Sequence, residues 1–194
     1  MKKTMQNTRP GSQPGAPGDS KQQKAPVRRG RKVSEYGKQL NEKQQLKREY
    51  GMREKQFRRF FGIAVHMDGA PGENLLSLLE RRLDNTVYRM KFSVTRTQSR
   101  QIIVHGHILV NGKKVYSPSC LVGVNDVVTL ADNVKDKEKF LEQVVDKRMS
   151  VAVKVPEWVE VDKKARKGTV LRLPIRTDIT TPVEEHLIVE LYSK

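Results

Sequence analysis

The sequence predicts an α+β fold, and three observations predict it. Apolar residues recur at helical spacing over 34–104 and again at the C-terminus. Short β-branched runs bounded by turn residues fill the stretch between about 108 and 173. Between them sits Asn111-Gly112, the strongest short hairpin signal in the chain. A length of 194 residues suits one moderate domain or two small ones.

The elements follow in order. Residues 1–26 are rich in Gln, Gly, Pro and Ser and nearly free of large apolar groups, so they cannot repay the entropy of ordering and are expected to be disordered in isolation. Ser34 is placed to cap a helix that Gly51 stops, with Tyr36, Leu40 and Tyr50 on one face. A second helix covers about 52–65. Its Phe57, Phe60, Phe61 and Ala64 stand at i, i+3, i+4 and i+7, which makes them core rather than stacking platforms for bases. Residues 66–72 are a turn-rich link. Leu76, Leu79, Leu83 and Val87 then line one face of a third helix. Thr95, with Gln98 three residues on, opens a fourth that Gly106 ends.

Ile108–Val110 leads into the hairpin at 108–115, and strands are expected near 120–122 and 127–130. A helix at 136–148 carries Phe140, Leu141, Val144 and Val145 on one side. Strands follow at 151–155, 158–161 and 169–173. Thr181-Pro182-Val183-Glu184 reads as the capped start of a final helix, whose apolar face is Leu187, Ile188, Leu191 and Tyr192.

Charge narrows the function classes. Lys and Arg number 38 against 22 Asp and Glu, a net +16. Residues 21–60 alone hold 14 basic groups and four Glu, a net +10, whereas 131–194 nets only +1. Such concentration describes a docking face for a polyanion better than a uniformly solubilising surface. A membrane partner is not expected: no apolar run approaches the roughly 18 residues of a span, and no secretory signal follows the N-terminal lysines. A mitochondrial transit peptide is disfavoured, because the acid-poor first 18 residues lack an amphipathic apolar half.

Cys120 is the single cysteine, so neither an internal disulfide nor a four-cysteine zinc site can form. His105 and His107 lack a third ligand nearby in sequence. Phosphate-cradling glycine loops and serine nucleophile elbows are absent, so no enzyme, metal, cofactor or small-molecule substrate is expected.

The candidate nucleic-acid contacts form three groups. Arg28, Arg29, Arg31 and Lys32 follow the tail. Lys43, Lys47, Arg48, Arg53, Lys55, Arg58 and Arg59 lie off the apolar faces of the first two helices. Arg81, Arg82, Arg89, Arg96, Thr97, Arg100, His105, Asn111, Lys113 and Lys114 surround the later helices and the hairpin. Arg96 and Arg100 stand four apart near a helix N-terminus, where backbone N–H groups also favour phosphate.

The stretch 72–115 resembles the small RNA-binding domain first named from small-subunit ribosomal protein S-four. VSEYGKQLNEKQQLKREYG at 33–51, KQFRRFF at 55–61, GENLLSLLERRLDNTVYRM at 72–90 and EHLIVELYSK at 185–194 are similar to the bacterial form of that family, in the same order. The resemblance covers about 27–194. Some members carry a zinc-cysteine cluster near the N-terminus, from which this chain departs. The resemblance implies an all-helical domain from 27–79 plus 181–194, interrupted by an α+β domain at 80–180 with the RNA-binding module at about 80–145.

It also implies a primary binder of small-subunit ribosomal RNA that nucleates assembly of the subunit body, in the cytoplasm and on the ribosome. Neighbouring protein S-five, through which decoding accuracy is affected, and messenger RNA where it enters the subunit are the further partners it implies. Two alternatives weigh less. A pseudouridine synthase needs a large catalytic domain, and about 50 residues after the 136–148 helix are too few. A free-standing stress protein acting on stalled ribosomes would need little beyond the module.

Overall fold

The computed structural model describes residues 34–131, 148 and 154–193, which belong to one compact unit, Val33–Lys194. The tail, Arg28, Arg29, Arg31 and Lys32, and the helix expected at 136–148 apart from Arg148 lie outside the described residues.

Helix α1 is Glu35–Glu49, and Ser34 caps it by accepting the Gly37 N–H at 3.2 Å. It ends at Gly51, where φ is +55°. The Gly51 N–H bonds the Arg48 carbonyl and the Met52 N–H bonds that of Lys47, which satisfies two carbonyls of the last turn. The inward stripe is Gln39, Lys43, Leu46 and Tyr50, at i, i+4, i+7 and i+11. Tyr36 is 60% exposed and does not share it. Two polar residues in the stripe hid it from a reading based on apolar character alone.

Helix α2, Glu54–Val65, buries Phe57, Phe60, Phe61 and Ala64 as the spacing predicts. The single helix expected across Leu76 to Val87 is two: α3, Pro71–Glu80, and α4, Leu83–Arg89. Arg82 is extended and forms a lone β-bridge with Leu121. The first N–H groups of α4 are satisfied from outside, Leu83 by the Cys120 carbonyl at 2.8 Å and Asp84 by that of Pro118 at 3.1 Å. The apolar spacing runs through the break unchanged, but its first half packs in one core and its second half in another.

Helix α5, Arg96–Val104, is capped by Thr95 Oγ1, which accepts the Gln98 N–H. The Gln98 side chain accepts from the Val94 N–H at 2.8 Å, one residue before the expected partner. Five antiparallel strands follow: β1 Ile108–Val110, β2 Lys113–Lys114, β3 Val127–Leu130, β4 Val159–Asp162 and β5 Lys167–Val170, in spatial order β2-β1-β3-β5-β4. Asn111 and Gly112 have φ of 51° and 78°, the mirror-image turn that a two-residue hairpin needs. The strand expected at 120–122 reduces to the single bridge, and the described end of 151–155 is not a strand.

One sheet face is apolar. Val110, Val128, Gly168 and Val161 lie in register across it, beside Ile108 and Leu130. Gly168 is there because a Cβ would collide with the Met90 sulfur. This core also holds Leu83, Val87, Phe92, Ile103 and Trp158.

The final helix, α6, is Glu185–Ser193, starting four residues beyond the expected cap at Thr181. Thr181 is buried and donates its hydroxyl to Glu49 at 2.8 Å, while the Glu184 N–H donates to Glu42 at 3.2 Å. Carboxylates of α1 therefore hold this segment in place of a local cap. In α6, Ile188 is fully buried, and the Tyr192 ring stacks on Phe61 at 4.4 Å and on Phe57 at 6.4 Å. Ile179, Val183 and Ile188 complete the second core, with Leu46, Tyr50, the α2 aromatics and Leu75–Leu79.

Candidate nucleic-acid interface

The outer face of α2 is cationic because its inner face is aromatic. Arg53, Lys55, Arg58 and Arg59 are all exposed, and none pairs with a carboxylate among the described residues. Arg48 adds a fifth exposed cation at the end of α1, its Nε donating to the Gln44 carbonyl. Lys113 and Lys114 stand exposed beyond the hairpin turn, and Thr97 and His105 are exposed at opposite ends of α5. Guanidinium and ammonium groups held this way on regular elements are suited to phosphate oxygens.

Lys43 and Lys47 do different work. Both bond Glu54, at 2.8 and 3.1 Å, and are only 12% and 19% exposed. Their grip, Lys43 first, holds the Glu54 carboxyl below the usual carboxylate range. Burial, and then the nearby Glu54 charge, pushes the Tyr192 hydroxyl above the usual phenol range. Asn111 is also committed: its amide donates to Asp126 at 2.7 Å and its oxygen accepts the Val127 N–H at 2.9 Å. It fixes the turn that carries the lysines.

The remaining arginines of the sequence reading are engaged within the chain. Arg82 is 3% exposed, paired bidentately with Asp84 and lying over the Phe60 ring at 5.3 Å. Arg81 donates to the Val122 carbonyl at 3.0 Å. Arg89 pairs bidentately with buried Glu80, at 3.0 and 2.7 Å. The guanidinium of Arg96 lies between the Tyr50 and Tyr88 rings, 4.9 Å from each, and bonds Asn85 at 2.9 Å. Arg100 bonds Asp84 at 2.8 Å and the carbonyls of Tyr50 and Gly51.

Arg96 and Arg100 thus do share a face of α5, but that face meets Tyr50, Gly51, Asp84 and Asn85 rather than open solvent. Their charges tie the α5 end of the sheet core to the end of α1. Glu80 is the hub of the same joint. It accepts from the Tyr50 hydroxyl at 2.5 Å and from Asn85 at 2.7 Å, besides Arg89. Burial first, and then the Glu80 charge, pushes the Tyr50 hydroxyl far above the usual phenol range. Burial pulls Arg89 down, but its bonds to Glu80 outweigh this and raise it.

One cationic segment was missed. Lys163, Lys164, Arg166 and Lys167 cluster at the β4–β5 turn, four cations in five residues. The run is legible in the sequence, although the C-terminal third around it is nearly neutral as a whole. A cleft of about 560 Å³ is lined by Arg89, Lys154, Arg172 and Asp178 among others. Asp178 is held there by Arg172 at 2.6 and 2.8 Å. Among the described residues, no group of His, Cys, Asp and Glu is arranged to hold a metal ion, and no helix is long and apolar enough to cross a membrane.

The two-helix module followed by an antiparallel sheet, with its hairpin lysines outward, defines an S4-domain protein: residues 81–128 match the S4 domain. Residues 2–80 match the ribosomal protein S4/S9 N-terminal domain, so the likeness reaches into the tail that the sequence reading left outside it. The chain is 48% identical over 167 residues to the small ribosomal subunit protein uS4 of Halothermothrix orenii, covering 86% of this chain and 79% of that one. Identity to the protein of that name in Thermoanaerobacter sp. is 49% over 179 residues, with coverages of 92% and 82%. For the Caldicellulosiruptor saccharolyticus protein it is 52% over 166 residues, with coverages of 84% and 77%. The chain belongs to the uS4 family of small ribosomal subunit proteins.

Proposed function

We propose that this chain is a structural constituent of the small ribosomal subunit, not an enzyme, and acts by binding the subunit's RNA. The observation that carries the reading is the row of exposed cations Arg53, Lys55, Arg58 and Arg59 along α2, presented by a helix whose opposite face is locked into an aromatic core. A helix fixed on its other face presents these cations at set spacings, and phosphate contacts supply a large share of the affinity for nucleic acid. The hairpin lysines extend this surface to the α+β core.

The finer reading is a primary binder of small-subunit ribosomal RNA that nucleates assembly of the subunit body. The rigid joint at Glu80 supports it, because a binder that orders RNA early must hold its own two cores in fixed register. Contact with neighbouring protein S-five, an influence on decoding accuracy, and contact with messenger RNA where it enters the subunit rest on the family resemblance. The working compartment is the cytoplasm, on ribosomes.

Co-sedimentation tests the reading. The chain should travel with small subunits in near-stoichiometric amount at moderate salt. A chain found free, or on stalled ribosomes in small amount only, would contradict it.

A further inference from the structure

The face of the sheet opposite the apolar core is polar and carries its own cationic edge. In antiparallel pairing, residues directly across from one another project to the same side. Lys114, Leu109, Thr129, Lys167 and Asp162 form one such row across all five strands. The hairpin lysine at one end and Lys167 near the other are three strand spacings apart, about 14 Å. Along this row lies a groove of about 300 Å³, lined by Leu109, Thr129 and Leu130 and by Lys164, Ala165, Arg166 and Lys167 of the turn.

The lysines at this groove and its turn carry the case. Lys163, Lys164 and Lys167 are exposed, and none pairs with a carboxylate among the described residues. Asp162, the acid closest in sequence, is engaged in shaping the turn: its Oδ1 accepts the N–H groups of Lys164 and Ala165 at 2.9 and 3.1 Å. Glu160 lies on the same side one row away, opposite Thr169. The excess is felt at a distance, since burial, and then the charges of Lys163 and Arg148, lower the Lys91 ammonium below its usual range.

We propose that the β4–β5 turn and the adjoining sheet groove form a second phosphate-backbone site for RNA, distinct from the α2 surface and continuous through Lys114 with the hairpin tip. This rests on the RNA-binding reading above and extends it to residues outside the two matched family segments, which end at residue 128. The chemistry favours a nucleic-acid backbone over a protein. Protein interfaces centre on aromatic and apolar anchors and are depleted in lysine. This groove is lined by two lysines, an arginine, a threonine hydroxyl, an alanine and two leucines, with Lys163 beside it in the turn and no aromatic ring among them.

The test uses full-length protein and transcribed small-subunit ribosomal RNA. The Lys163→Gln/Lys164→Gln/Lys167→Gln variant should melt like the wild type, since all three side chains are exposed. Its affinity should depend less on salt. With about 0.7–0.9 per phosphate, the log–log slope should shrink by roughly 2. Hydroxyl-radical footprinting should show one protected backbone patch lost while the others persist. If the triple variant fails to melt cooperatively, Lys164→Gln alone should shrink the slope by about 0.8. A slope and footprint identical to the wild type would overturn the second site and leave the α2 surface standing. A wild-type chain that protects no RNA would overturn the RNA reading, and this site with it.

Discussion

Removing the Glu80 carboxylate should cost far more stability than an ordinary surface ion pair. Glu80 is the last residue of α3 and is 1% exposed. Its two oxygens accept from Tyr50 at 2.5 Å, Asn85 at 2.7 Å and Arg89 at 3.0 and 2.7 Å. Glu80→Ala leaves the Arg89 guanidinium, only 15% exposed, without its counter-charge, and two further donors without an acceptor. Breaking a buried pair from one side costs about 3–5 kcal/mol. Glu80→Gln keeps the shape and part of the acceptance and should cost about 1.5–3 kcal/mol. Glu80→Ala with Arg89→Ala should cost less than the sum of the single losses by about 1–3 kcal/mol, because the second change removes the stranded charge. Urea unfolding followed by Trp158 fluorescence and far-UV dichroism measures the wild type and the four variants, Arg89→Ala among them. A Glu80→Ala loss below about 1 kcal/mol, or strict additivity in the cycle, would refute the claim that this carboxylate is the hub of the joint.

Three further outcomes follow from the packing. Gly168→Ala should destabilise by about 1–3 kcal/mol, since the new methyl meets the buried Met90 side chain; an unchanged urea midpoint would show that Met90 yields freely. Glu54 is depressed in the folded state, so its contribution is complete above the unfolded value of about 4.3 and is lost as pH falls through the lower folded value. Wild-type Tm should therefore fall more steeply than that of Glu54→Gln between about pH 5 and 3, and parallel profiles would contradict the Lys43–Glu54–Lys47 clamp. Tyr192→Ala should cost about 1.5–3 kcal/mol through lost stacking on Phe61, whereas Tyr192→Phe should lose only the bond to Glu54; equal losses in urea melts would mean the ring contributes nothing.

Much of this architecture was legible because local chemistry and tertiary structure agree. The aromatic stripe of α2, the Thr95 cap, the stops at Gly51 and Gly106 and the Asn111-Gly112 turn each satisfy a requirement within a few residues of themselves. Two misplaced helix boundaries share one cause, a partner distant in sequence. The α3–α4 break is set by carbonyls of Pro118 and Cys120. The late start of α6 reflects Glu42 and Glu49 of α1, over 130 residues away. The site divides the same way. Exposure of the α2 cations follows from helical period alone, so they were readable. Arg82, Arg89, Arg96 and Arg100 carry the same residue type, yet Glu80, Asp84 and Asn85 draw them inward. No spacing rule separates an arginine for phosphate from an arginine for a buried carboxylate.

The central claim is that exposed, preorganised cations dock this chain on ribosomal RNA. The most direct measurement is the salt dependence of its affinity for small-subunit RNA, taken for the wild type and for Arg53→Gln/Arg58→Gln/Arg59→Gln. With on the order of eight phosphates neutralised, the wild-type log–log slope should be about −6 to −7, and the variant should be shallower by roughly 2–3 with its Tm unchanged. A wild-type slope near −2, or a variant indistinguishable from the wild type, would show these cations to be solvated surface and would contradict the account.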